Sequence, residues 1–184
     1  MKKVLFIAAI CFCSIGAYSQ TPKEPEFAGE CMLLKSDNTT VSLEKQQAQT
    51  RTAMTVGKAI TGIGGAKSKL QIDGCCAATK VSSADNIRFI VRAVDNNTDP
   101  MAIVKIFQFD SNKKYRRAEL VSVNGLGTTK TNKLHYLTFT AEKFGKSSYL
   151  LTLQDKTPGE YGITVSNPNA LDEKSVIVSS FSIE

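Results

Sequence analysis

In residues 87–94, Ile87, Phe89, Val91 and Ala93 fall on one side of an extended chain, while Arg88 and Arg92 fall on the other. Successive side chains of an extended backbone point in opposite directions, so this period-two pattern predicts a strand with one buried face. It recurs in Leu137 with Phe139, in Tyr149 with Leu151 and Leu153, and in Tyr161 with Ile163 and Val165. Strands are predicted at 31–35, 40–43, 68–72, 87–94, 101–109, 115–123, 135–140, 148–153, 161–165 and 175–183. Residues 101–109 are apolar at nearly every position except Lys105 and Gln108, which predicts a central strand covered on both faces. Short strands at this regular spacing predict a mainly β chain, an antiparallel immunoglobulin-like β-sandwich. Thr157-Pro158-Gly159-Glu160-Tyr161 is a turn that delivers a tyrosine to the start of a late strand. In sandwiches such a residue bonds back across the corner, a structural role.

One stretch resists this reading. Gln46, Gln47, Ala48 and Gln49 favour a helix, whereas Thr50, Thr52, Thr55 and Gly57 oppose it. A short helix or irregular segment is therefore expected near residues 44–60.

The first residues have a different logic. Lys2 and Lys3 precede an apolar run from Val4 to Ile15, and Ala17 and Ser19 are the small residues that signal peptidase prefers. Residues 1–19 read as a cleavable signal peptide that leaves Gln20 at the new terminus. The run is shorter than the roughly 20 residues that span a bilayer, so no transmembrane segment is expected in the mature chain. Cys11 and Cys13 follow Ile10 and Phe12 instead of the small residue that lipidation requires. Residues 20–29, with Pro22 and Pro25, read as a flexible leader, and residues 30–184 as a single domain. The expected location is the periplasm, the cell surface or the extracellular space.

Loss of Lys2 and Lys3 with the signal lowers the formal charge from +6 to +4, and the remaining cations alternate with acids. That mild excess, in an exported chain, argues against a nucleic-acid partner.

The candidate chemistry is sparse. Three cysteines remain after the signal, and the expected bridge joins Cys31 to Cys75 or Cys76, a direct Cys75–Cys76 bond ranking last. The glycines at 57, 62, 64 and 65 match neither a phosphate loop nor a dinucleotide loop, because Ile63 and Gly64 follow Gly62 and position 67 is a lysine. Asp95, Asn97 and Asp99 set oxygen side chains at alternate positions, as a calcium loop begins. Pro100 and Ile106 stand where an EF-hand needs glycine and a carboxylate, so only an irregular calcium site is open to these three residues. His135 is the chain's one histidine and is expected to be a partly buried structural residue. No catalytic residue is assigned, and no cofactor is expected apart from calcium. Carboxylates are numerous enough to form a glycosidase pair, although such a pair is defined by its separation in space.

Phe89-Ile90-Val91-Arg92 running into Asp95-Asn96-Asn97, Ile106-Phe107, Phe144 to Leu150 and Pro158 to Ile163 together resemble uncharacterised small exported proteins of Bacteroidetes. The resemblance runs from about Leu43 to the C-terminus. It implies a secreted β-sandwich and carries over no activity, cofactor or site residue. The expected function is that of an exported, non-catalytic binding or structural domain of the cell envelope, with an envelope protein or a glycan as partner. The alternatives are a carboxylate-dependent glycan-active enzyme and a calcium-responsive binding module.

Overall fold

The computed structural model describes residues 21–54, 66–123, 129–131, 134–167 and 176–184. The signal peptide expected at 1–19 and the glycines at 57, 62, 64 and 65 lie outside the described residues. The strands are β1 (Cys31–Leu34), β2 (Thr40–Ser42), β3 (Glu44–Met54), β4 (Ala66–Asp73), β5 (Lys80–Val81), β6 (Arg88–Arg92), β7 (Val104–Ser111), β8 (Tyr115–Val123), β9 (Thr129–Thr131), β10 (Phe139–Phe144), β11 (Ser148–Leu153), β12 (Gly159–Val165) and β13 (Val176–Ile183). A single helical turn, α1 (Pro100–Ile103), precedes β7, with Asp99 as its N-cap and proline at its first position.

Two sheets organise these strands. One has five antiparallel strands in the order β10-β11-β6-β1-β2. The other runs β12-β7-β8-β4-β3-β13, and β13 also pairs with β12, so six antiparallel strands close into a barrel. Closure pairs the backbone of both edge strands that an open sheet would expose. The chain is thus mainly β and antiparallel, as its alternation predicts, and the barrel is a feature the alternation alone does not contain.

The stretch expected as helix or irregular is, over residues 44–54, the strand β3. Gln46 and Gln47 pair with β13 on one side, as in Gln46 opposite Val178, and Gln49, Thr50 and Thr52 with β4 on the other, as in Thr50 opposite Leu70. Two neighbouring strands supply more backbone partners than an isolated helix could retain, and tertiary pairing overrides weak helix propensity.

Alternation sorts the side chains into two cores. Phe89, Val91, Leu151 and Leu153 of the five-stranded sheet meet Val104, Ile106, Tyr161, Ile163, Phe181 and Ile183 from the β7-β12-β13 wall of the barrel. The intervening residues Phe107, Phe109 and Val178 turn into the barrel, where they meet Leu70, Ile72 and Ala118. Both faces of β7 are therefore covered, as its apolar run predicts over residues 104–109. Tyr161 is fully buried, and its hydroxyl donates to the Thr157 carbonyl at 2.6 Å, the back-bond expected from the turn before it.

Residues 21–30 contain no helix or strand, but they are docked. The Glu24 carboxylate accepts from the Ser147 amide at 3.0 Å, Arg92 donates to the Pro25 carbonyl at 2.7 Å, and Pro25 is buried. Backbone and side-chain bonds thus tie this segment to the five-stranded sheet and its β10–β11 turn.

Candidate functional site

The barrel interior has two unlike ends. On β3, Glu44, Gln46, Ala48 and Thr50 share the face opposite Val176, Val178 and Ser180, so the inward row passes from acidic to small and uncharged. At the acidic end Arg116 of β8 points inward with no solvent exposure, between Glu44 and Glu160, each 3.6 Å from a guanidinium nitrogen. Its Nη2 also donates to the Asp73 carbonyl at 3.3 Å. Gln46 and Ser180 donate to the Glu44 carboxylate, and the Ala77 amide donates to Glu160 at 2.8 Å. Burial alone raises the Glu44 pKa, but the hydrogen bond from Gln46 and the Arg116 charge outweigh it and hold the group below its ordinary value. This network seals one end of the barrel.

The other end is open among the described residues. A cavity of about 570 Å³ is lined from inside the barrel by Leu70, Phe107, Leu120, Leu134 and Val176, with Thr50, Lys105 and Thr164 nearer its mouth. Six strands enclose less room than the roughly eight whose interior side chains just fill a barrel. Space here therefore needs a local cause, and the strand register supplies it. β12 and β13 pair from Gly159–Ile183 to Ile163–Ser179 and no further, although β12 runs to Val165 and β13 begins at Val176. The wall parts at this seam. The cavity reaches through it to residues on the outside of the barrel, among them Glu30, Lys45, Val94 and Ile177.

Charge and exposure at the opening are uneven. Lys45 is paired with Glu30 at 3.6 Å, whereas Lys105 pairs with no acid among the described residues. Val94, Tyr136 and Ile177 are 43%, 40% and 57% exposed and stand around the mouth, an apolar rim that a polar surface would not need.

The sequence-derived candidates lie elsewhere. Asp95, Asn97 and Asp99 occupy the loop between β6 and α1, and their carboxylates are engaged locally: Asp95 accepts from the Asn97 amide at 2.8 Å and Asp99 from the Met101 amide at 2.9 Å. Among the described residues no group of three or more His, Cys, Asp or Glu side chains could hold a metal ion. Asp95 and Asp99 do lie near Tyr149, whose hydroxyl donates to the Thr98 carbonyl. Burial first, then these two charges, raise the Tyr149 pKa.

The cysteines differ from expectation. Cys75 is bonded to Cys76, and Cys31 is a free thiol buried in the core between the sheets. The expected Cys31 bridge fails because β1 places Cys31 in that core, where burial pushes its thiol pKa up to about 12, while the pair sits in the turn after β4 at the sealed end. His135 is likewise exposed instead of partly buried, and its carbonyl, not its ring, joins the sheet by accepting from the Gln108 amide at 2.9 Å.

Carboxylates of the described residues do not converge on the cavity. Glu30 is the one acid among the described residues that line it. Glu24, Asp37, Glu44 and Asp155 are displaced from their ordinary pKa, and all of these are held down, chiefly by hydrogen bonds. None is raised toward the range of a general acid.

Reading along the chain misses Lys105, Arg116 and the cavity itself, because each depends on strands distant in sequence. The signal that could have found Arg116 is the regular alternation at the start of β8, before its register shifts beyond Glu119, where Arg116 shares a face with the buried Ala118. Compared with protein-family models, with curated proteins and with solved structures, the chain gives no match.

Proposed function

We propose that this chain is an exported, non-catalytic binding domain that holds a small, largely apolar ligand in its barrel. The pattern of residues 1–19 supports export to the periplasm, the cell surface or beyond. The five-stranded sheet lying on the barrel wall, with Tyr161 bonded back to Thr157, supports describing that half of the molecule as an immunoglobulin-like sandwich to which a barrel has been added.

The observation that carries the binding reading is the composition of the cavity. Its inner wall is apolar, its volume of about 570 Å³ lies within the range of ligand pockets, and it is blind at the end that Arg116 closes. Glycan hydrolysis calls for two acids facing each other across a cleft, and among the described lining residues Glu30 is the one acid, already paired with Lys45. A sugar would also leave its hydroxyls against Leu70, Phe107, Leu120 and Val176, at the cost of burying unpaired polar groups.

An apolar dye that brightens in a dry environment tests the proposal. Titrating the purified protein into the dye is expected to give saturable, one-site enhancement that disappears in Val176→Trp, whose indole would occupy the cavity. An unchanged dye signal at saturating protein overturns the proposal.

A further inference from the structure

We infer that the ligand is a single apolar chain ending in an anionic head group, with the chain inside the barrel and the head held by Lys105. The inference rests on the binding reading above and adds the ligand's chemical class, its orientation and its route of entry.

Shape selects the chain. Halfway along β12 the bore is narrow: a Cβ placed on Gly162 would lie 2.7 Å from both Phe109 and Val178. Below that level Arg116, Glu44 and Glu160 block the passage. A bulky fused-ring ligand could not advance between such walls, whereas a flexible chain can lie along Leu70, Phe107, Leu120 and Val176 in the wider part.

Charge selects the head. Lys105 shares the inward face of β7 with Phe107 and Phe109, but it sits at the mouth and is exposed. Its Cα partner across the strand pair is Thr164, which also lines the cavity, so a cation and a hydroxyl flank the same opening. Lys45 is committed to Glu30, so among the described lining residues Lys105 is the cation at the mouth left for an anion. An ammonium beside an apolar bore matches a carboxylate or phosphate that remains hydrated while its tail is buried.

The seam selects the route. The ends of β12 and β13 part beyond Ile163 and Ser179, and the outer cleft carries exposed Val94 and Ile177 beside it. Among the described residues this gap offers a chain a sideways path with its apolar length against an apolar rim, and its head need not cross the barrel.

Displacement of the dye from the full purified protein is the test, with straight-chain carboxylates of increasing length, the matching alcohols, and single-chain phosphate esters as competitors. Affinity is expected to rise roughly fourfold for each added methylene until the bore is full, and then to level off. Lys105→Met should weaken the anions several-fold while leaving the alcohols unchanged, and Thr50→Trp at the mouth should weaken both; Thr50→Trp replaces Val176→Trp if that variant does not fold. Preference for carboxylate over phosphate ester, or the reverse, separates a free long-chain acid from a monoacyl lipid as the source.

Dye binding that anions and alcohols displace equally, without dependence on length, overturns this inference and leaves the binding reading standing. Absence of dye binding overturns both. Concentration-dependent dimerisation that Ile177→Lys abolishes and carboxylates do not compete with would assign the apolar rim to a second copy instead, which also overturns it.

Discussion

Arg116 is fully buried inside the barrel, and a cation there is tolerated only because Glu44 and Glu160 flank it. Replacing it with methionine would keep the apolar stem and leave two carboxylates facing each other without a counter-charge. Breaking a buried ion pair from one side costs about 3–5 kcal/mol, and the lower end applies here because the Glu44 side chain is 33% exposed. Urea unfolding of Arg116→Met is therefore expected to show a loss of about 3 kcal/mol at neutral pH. The loss carries a pH signature. The folded-state pKa of Glu44 lies below its ordinary value, so its contribution is complete above the usual carboxylate range and is lost as pH falls through the lowered value. Without Arg116 one of the causes that lower this pKa is gone. The stability gap between the native chain and the variant should then narrow on going from about pH 7 to about pH 3. A gap that stays constant would show that Arg116 acts through packing and not through charge.

Among the elements, β12 carries the sharpest steric demand. Gly162 lies on its inward face, and the Phe109 ring and the Val178 methyl fill the space that a Cβ would take. Gly162→Ala should cost about 1–3 kcal/mol through overpacking, with an unchanged dependence on urea concentration, and Gly162→Val should cost more. A neutral Gly162→Ala would mean that β12 can shift outward and that the bore is wider than its side chains suggest. Strands such as β6, β11 and β12 are legible in the chain because one of their faces meets a continuous core and so carries an apolar residue at every second position. β3 is not, since its inward row of Glu44, Gln46, Ala48 and Thr50 faces a polar plug and a cavity instead of a core, which removes the apolar half of the alternation. Lys105 reads as an interruption in an apolar run for the same reason. A cation at the mouth of a bore and a cation on a wet face look alike until closure of the barrel gives the inward face a meaning.

At the scale of the molecule, the five-stranded sheet and the barrel share one core and do not stand as two units. Phe181 of β13 is fully buried where they meet, with its ring 4.7 Å from Phe89 in the five-stranded sheet and 5.4 Å from Tyr161 in the barrel wall. A side chain so placed contributes to both sheets at once, which makes its truncation a test of their coupling. Phe181→Ala should cost about 3–5 kcal/mol, and the cost should appear as earlier unfolding of the entire chain in a single transition. Hydrogen exchange locates the effect: amides of β6 and β11, in the five-stranded sheet, should lose protection together with those of β7 and β12, in the barrel. Loss confined to β6 and β11 would mean that the barrel is stable alone, held by its inner core of Leu70, Ile72, Phe107, Phe109 and Val178. Joint loss is the outcome the packing demands, because Val104, Ile106, Tyr161 and Ile163 bury their outward faces only against the five-stranded sheet. Exposing them would remove the strands that form the seam. The cavity would then be only as stable as the contact between the two sheets, even though none of the side chains deepest in its bore belongs to the five-stranded one.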